Sequence, residues 1–246
     1  MISLISDFDG TLFFINEQPP VREIDVKKIQ EFQRDNVFGL CTGRPLIGIS
    51  DLKKFGIQCD FYILTSGALI VDKDFNIIYE KCMTQDVVQA LIDETKQYKA
   101  VIQAKSKIYP IKEAINLPIE QKVIYRASDL TESALGMSVR TDNDEEAFEL
   151  VKKLRANYKI QALQNENYVD IVPLGCSKGT AVQYIKEHYN LSFVAAIGDS
   201  YNDMDMLEKA DISFTFATSP KPVQKSATHL VSGISHAIEI ITNQSK

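Results

Sequence analysis

The sequence predicts an α/β protein: a doubly wound, Rossmann-like parallel sheet with an α+β unit inserted into it. Two observations carry this reading. At both ends of the 246-residue chain, short apolar runs alternate with helical patterns, the rhythm of a parallel sheet with crossover helices. Between the ends, the pattern changes to short alternating segments and two helical stripes, which suits an antiparallel sheet covered on one face.

The elements follow in order. ISLIS opens the chain as a strand buried on both faces and runs directly into DFDGT. Residues 24–35 have helical spacing, with Ile29 and Phe32 apolar among charged neighbours. VFGLC is a second buried strand, ending at Thr42-Gly43-Arg44-Pro45. A short helix is expected next, with Leu46, Ile49 and Leu52 on one face and Gly56 stopping it. FYILT, ALIVD and NIIYE read as strands. In the middle, 84–98 and 144–158 are helical, the second with Ala147, Val151, Leu154 and Tyr158 on one stripe. VIQA, KVIYRA, GMSVRT, KIQALQ and YVDIV are the alternating segments. The core rhythm then returns: a helix over 178–189, the strand FVAAIGD, the short helix DMDMLEKA, the strand ISFTFA and a closing helix from Ile234 to Ile241. These patterns divide the chain into a core of 1–81 and 174–246 and an inserted domain of 82–173.

Composition narrows the partners. The net charge of −6 argues against nucleic acid or an anionic membrane as the main partner. No apolar run approaches the length needed to cross a bilayer. Cys41, Cys59, Cys82 and Cys176 are scattered, without a CxxC pair, and read as free thiols in a reducing compartment. His188, His229 and His236 lack zinc spacing. The first six residues are too short for a signal peptide, so the expected location is the cytoplasm. A monomer or small homo-oligomer is expected.

The chemistry sits at strand ends, where open parallel sheets bind ligands. Asp7 and Asp9 follow the first strand, and Gly10 permits a turn that brings both carboxylates to one small volume. Thr42 follows the second strand. Its hydroxyl, with the backbone amides of Gly43 and Arg44, is suited to phosphoryl oxygens, although the same residues would serve as a plain helix cap or turn. Lys178 opens a helix, where a cation is electrostatically misplaced, which hints at a local reason for it. Asp199 and Asp203 follow a buried strand in AAIGDSYNDMDM and offer hard oxygen ligands for magnesium. Asp203 and Asp205 could equally be acids favoured by a helix dipole.

In order and spacing, Asp7, Asp9, Thr42, Lys178, Asp199 and Asp203 resemble the motifs of the haloacid dehalogenase superfamily, specifically its Cof-type phosphatases. The resemblance spans the core on both sides of the insertion, and the insertion's place between the Thr42 and Lys178 motifs also matches. It implies a magnesium-dependent phosphatase acting on a small phosphorylated metabolite such as a sugar phosphate, nucleotide or cofactor phosphate. Asp7 would be the nucleophile and Asp9 the acid and base. Asp7, the Asp9 carbonyl and Asp199 would hold Mg2+, with Asp203 orienting that shell and Lys178. Thr42, Gly43, Arg44 and Lys178 would hold the phosphate, with Asn202 as a further polar contact. The insertion would be a cap that carries specificity, with Arg126, Arg140 and Tyr168 as conceivable contacts. Two departures from the family pattern stand out: Ser66-Gly67-Ala68 where Asn-Gly-Ala is usual, and FTFATSPKP (214–222) in place of a small glycine-containing stretch. Other readings are a phosphosugar mutase, a phospho-receiver without turnover, and a catalytically idle binding protein.

Overall fold

The computed structural model describes residues 1–49, 52–116 and 119–244. The elements are β1 (Ile2–Ser6), α1 (Glu23–Phe32), β2 (Val37–Cys41), β3 (Phe61–Leu64), β4 (Leu69–Asp72), β5 (Ile77–Glu80), α2 (Gln85–Glu94), β6 (Lys99–Gln103), β7 (Ile108–Pro110), β8 (Gly136–Arg140), α3 (Asp144–Asn157), β9 (Ile160–Asn165) and β10 (Tyr168–Pro173). They continue with α4 (Lys178–His188), β11 (Phe193–Ile197), α5 (Met204–Lys209), β12 (Ile212–Phe216), α6 (Lys221–Ser226), β13 (His229–Val231) and α7 (Ile234–Gln244).

Eight strands form one sheet in the order β13-β12-β11-β1-β2-β3-β4-β5. The six from β13 to β3 run parallel. The expectation of a parallel sheet needs one correction, because β4 and β5 turn back antiparallel and close the edge as a meander. Alternation along each strand divides the apolar side chains between two layers. Leu4, Ala195 and Ile197 join Ile29 and Phe32 of α1 and Ala237 and Ile238 of α7. Ile5, Val194 and Ala196 join Ala181, Val182 and Ile185 of α4, Met206 and Leu207 of α5, and Val223 of α6. A buried carboxylate ties the first layer together: Asp25 of α1 accepts a 2.7 Å hydrogen bond from the Ser235 amide at the start of α7, where the helix dipole favours an anion.

The second sheet is wholly antiparallel, in the order β7-β6-β8-β10-β9. One face carries Ile102, Met137, Val139, Val169 and Ile171, packed against Leu91 and Ile92 of α2 and Ala147, Val151 and Leu154 of α3. The side chains between these positions, Asp170 among them, occupy the opposite face.

Other expectations also shift. KVIYRA forms no strand: it holds an isolated bridge at Ile124, with another at Gln121 just before it, and runs into a 3-10 turn at Ala127–Asp129. The amides of Tyr125 and Arg126 donate to the Asp129 carboxylate, so a local side chain takes donors that a ladder would need. The helix expected after Pro45 is two 3-10 turns, Leu46–Ile49 and Leu52–Phe55, and the link between them, residues 50 and 51, lies outside the described residues. β7, α6 and β13 had no counterpart in the sequence reading.

β2 and β3 approach closely at Gly39, where an added Cβ would lie 2.2 Å from the Phe61 ring. Gly39→Ala is therefore expected to destabilise the chain by about 1–3 kcal/mol through overpacking. Adding Phe61→Leu should recover part of that loss. Urea unfolding of the single and double variants checks this, and an undiminished Gly39→Ala would contradict it.

Candidate active site

The sheet's connectivity creates the site. From β1 the chain moves outward through β2 and β3, and it later returns to place β11 on the other side of β1. The reversal at β1 and β11 is a topological switch point, and the crevice beyond the carboxyl ends of such strands is the usual ligand site. Asp7 follows β1, Thr42 follows β2 and Asp199 stands two residues beyond β11.

The loop after β1 is tightly wound. The Phe8 carbonyl accepts from the amides of Leu12 and Phe13 at 3.0 and 2.7 Å, and the Gly10 amide donates to the Phe13 carbonyl at 2.9 Å. Gly10 adopts φ +80°, and a Cβ there would lie 2.5 Å from Asp199 Oδ2. Both the conformation and the space therefore require glycine. The turn also brings in Thr11, whose hydroxyl donates to Asp199 Oδ1 at 2.7 Å.

Lys178, 1% exposed, joins the strand ends. Its Nζ lies 2.5 Å from Asp7 Oδ1 and 2.6 Å from Asp203 Oδ1. Asp203 Oδ2 accepts from the amides of Asp199 and Ser200, both at 3.0 Å. Both oxygens of Asp203 are thus engaged, which makes it the brace of the cluster. The Ser177 side chain caps α4 by accepting from the Thr180 amide. Lys178 occupies the first helical position because two carboxylates offset the unfavourable dipole there.

Burial and charge set the titration of this group. Burial alone would lower the Lys178 ammonium, but Asp203 and Asp7 outweigh it and hold it protonated, above the ordinary lysine range. Burial, then Asp203, lifts the Asp7 carboxyl well above its ordinary range, against the pull of Lys178. Asp199 is pushed up to about 6 by burial and then by Asp203, with the Thr11 hydrogen bond opposing. Oxygens of Asp7, Asp199 and Asp203 lie within 4.8 Å of one another. Three carboxylates against one ammonium leave an excess of negative charge among hard oxygen donors, which fits a divalent cation of the magnesium type.

The remaining expected residues line the rim. Thr42 is buried, and its hydroxyl oxygen accepts from the Arg44 amide at 3.1 Å. The Arg44 guanidinium grips the half-exposed Asp9 with both arms, at 2.8 and 2.5 Å, and lies 4.8 Å from the Phe8 ring centroid. Asn202 is buried against Asp170. Gly43 also faces Asp170, since a Cβ there would lie 2.8 Å from Asp170 Oδ2. Arg126 pairs with Asp129 on the surface, whereas Arg140 lies 6.0 Å from the Tyr168 ring on the second sheet.

Sequence reasoning missed Asp170 and passed over Thr11. Asp170 belongs to β10, is buried at the junction of the two sheets, and is hydrogen-bonded by Ser138, Ser66 and Asn202. Burial raises it to about 6, against the pull of Lys178 and these hydrogen bonds. A carboxylate between Val169 and Ile171 in an otherwise apolar strand was the available signal. Thr11 was visible in DFDGT as part of a motif, without a role of its own.

The chain has relatives among known proteins. The family described as haloacid dehalogenase-like hydrolase matches residues 4–236. The chain is 24% identical to the 5-amino-6-(5-phospho-D-ribitylamino)uracil phosphatase YcsE of Bacillus subtilis, over 96% of this chain and 94% of that one. It is 28% identical to a phosphoglycolate phosphatase of Sulfurisphaera tokodaii, over 88% and 81%. Among solved structures, the subclass IIB sugar phosphatase BT4131 superposes with a TM-score of 0.81 at 18% identity, covering 100% of this chain and 99% of that one. A haloacid dehalogenase-like hydrolase from B. subtilis superposes with 0.83 at 19%, covering 96% and 98%. The chain belongs to the haloacid dehalogenase-like hydrolases. Within that family it is a phosphatase of the Cof-like kind. No helix among the described residues is long and apolar enough to cross a membrane.

The raised carboxyls set a pH dependence. Asp170 and Asp199, raised to about 6 in the folded chain, keep protons that ordinary carboxyls lose near pH 4. Between about pH 4 and 6 the folded state binds more protons than the unfolded state, so this contribution to stability falls as pH rises. In chelator, Asp170→Asn should match the wild type at pH 4 and exceed its Tm at pH 7. Thermal unfolding at the two pH values checks this, and an equal Tm difference at both would contradict it.

Proposed function

We propose that the chain hydrolyses the phosphate monoester of a small metabolite in two displacements through Asp7. The observation that carries this reading is the buried Asp7–Lys178–Asp203 chain of ion pairs at the switch point, with Asp9 two residues from Asp7 and Asp199 across the crevice.

In the first displacement, an Asp7 oxygen bonds to phosphorus as the bond to the leaving oxygen breaks, and Asp9 gives that oxygen its proton. In the second, Asp9 takes a proton from water, the water oxygen bonds to phosphorus, and inorganic phosphate leaves with Asp7 restored. Lys178 and Asp203 hold Asp7 in place. The Thr42 hydroxyl and the Gly43 and Arg44 amides border the place where phosphoryl oxygens would sit. Asp7, Asp199 and the Asp9 carbonyl, braced by Asp203, would hold Mg2+, which supplies charge neutralisation between the nucleophile and the phosphoryl group.

Arg44 bears on the first step. Its two-armed hold occupies both oxygens of Asp9, so Asp9 is free to reach the leaving oxygen only once that hold loosens. In our reading, residues 82–173 form a cap. The support is the Asp170 junction with Ser66 and Asn202 and the crevice enclosed between the two sheets, whose closure would exclude water.

With magnesium, p-nitrophenyl phosphate should be turned over, and EDTA should abolish that turnover. Asp7→Asn should lower kcat by at least about 10³-fold. Asp9→Asn should lower it by about 10²–10⁴-fold. A folded Asp7→Asn variant with wild-type turnover would remove Asp7 from the mechanism.

A further inference from the structure

Among the described residues, Asp170 is the only buried acid of the second sheet. It lies on β10, a central strand paired on both sides, so its backbone is firmly held. Its carboxylate meets three other segments of the chain. Ser138 approaches from the neighbouring strand β8, Ser66 from the turn after β3, and Asn202 from the loop after β11. A fourth segment rests on it as well. At Gly43, in the turn after β2, an added Cβ would lie 2.8 Å from Asp170 Oδ2 and 3.4 Å from Ser66 Oγ.

Two of these contacts lead into the candidate site. The Ser66 amide donates to the Thr42 carbonyl and the Thr65 amide to the Arg44 carbonyl, both at 3.0 Å, so this turn holds the Thr42–Arg44 turn at each end. Ser66 does so at φ 47°, a backbone state that persists only where its surroundings impose it. On the other side, Asn202 directly precedes Asp203, which lies 2.6 Å from the Lys178 ammonium. Asp170 thus stands between the turn that borders the proposed phosphoryl place and the loop that bears Asp199 and Asp203. It has no ion-pair partner among the described residues. A buried carboxylate without one costs stability at neutral pH, a cost that an amide would avoid in a plain docking contact.

We propose that Asp170 is a positioning residue of the reaction. Through Ser66 it sets the Thr42–Arg44 turn, and through Asn202 the loop before α5, at the separation that holds a phosphoryl group against Asp7. The inference rests on the phosphatase reading of Asp7 and extends it to a residue of the second sheet that acts only through its neighbours.

The test uses p-nitrophenyl phosphate at pH 7 with saturating magnesium, and inorganic phosphate as an inhibitor that carries no leaving group. Asp170→Asn keeps the shape of the side chain and, with the buried charge gone, should not lower the Tm in chelator. Its kcat/KM should nevertheless fall about 10–100-fold, the range for groups that orient a site without joining it. The inhibition constant of phosphate should rise about tenfold, as for one lost hydrogen bond. Ser66→Ala should show the same two defects, and adding it to Asp170→Asn should cost little more, because both changes break one line of contact. A purely structural junction predicts wild-type kinetics in any variant that keeps the wild-type Tm. Wild-type kcat/KM and phosphate inhibition in folded Asp170→Asn, or in Ser66→Ala should Asp170→Asn not fold, overturn the proposal and leave the phosphatase reading standing. A loss of turnover with phosphate inhibition unchanged also overturns it, since Asp170 would then serve the leaving group. If the folded wild type does not turn over p-nitrophenyl phosphate, the phosphatase reading falls and this assignment falls with it.

Discussion

The ion-paired ammonium of Lys178 is the interaction on which the rest of the site depends. A lysine at 1% exposure is tolerated only when its charge is matched and hydrogen-bonded, and Asp7 and Asp203 do both. Through Asp203 the same contact reaches the backbone of Asp199 and Ser200. One cation thus fixes the loop after β1, the start of α4 and the loop after β11 relative to one another. The arrangement remains over-supplied with negative charge, and that excess is what suits the crevice to the divalent metal and the phosphoryl chemistry proposed for it. Rigidity and reactivity here have one electrostatic origin.

The junction between the sheets is built differently, from close contact and strained backbone. Thr65 and Ser66 both adopt φ 47°, a left-handed conformation that L-residues occupy at a cost of about 1–2 kcal/mol each. Gly136 of β8 lies against Thr65, where an added Cβ would be 2.5 Å from the Thr65 Cγ2. Ser66 faces Asp170 at 3.5 Å, and the Thr65 hydroxyl is buried without a partner. Strain of this kind collects where function constrains the backbone. Ser66, one of the two departures from the family pattern, therefore stands where the second sheet meets the loops of the candidate site. The other departure, 214–222, contributes Phe216 and Thr218–Pro220 to a cavity beside Asp199.

Much of this was legible in the sequence because the signals were local. A buried apolar run ending in Asp or Thr identifies both a strand and the rim residue after it, as ISLIS–Asp7, VFGLC–Thr42 and FVAAIG–Asp199 show. Lys178 was marked by its conflict with the helix dipole. The illegible parts depend on distant partners. KVIYRA has the alternation of a strand, but Asp129 claims its amides. β13 is three residues long and is a strand only because β12 lies beside it. The destination of Arg44 was hidden for the same reason, since its backbone belongs to the turn after Thr42 while its guanidinium reaches 35 residues back to Asp9. Asp170 displays an acid in a strand, yet nothing local says that it meets Asn202.

The pairing of β1 with β11 has a consequence for how the protein comes into being. These neighbours are separated by nearly the whole chain, including the entire second sheet. On the ribosome, β1 emerges first and has one edge unpaired until β11 arrives. At about 5–20 residues per second, that wait is roughly ten seconds or longer. For that time a strand apolar on both faces presents an open edge, the kind of surface that invites pairing with other chains. Asp7 meanwhile lacks Lys178, Asp203 and Asp199, so a nascent chain carries its proposed nucleophile long before the surrounding cluster exists. Catalytic competence is acquired in one late step, when the C-terminal third of the sheet docks onto the first strand.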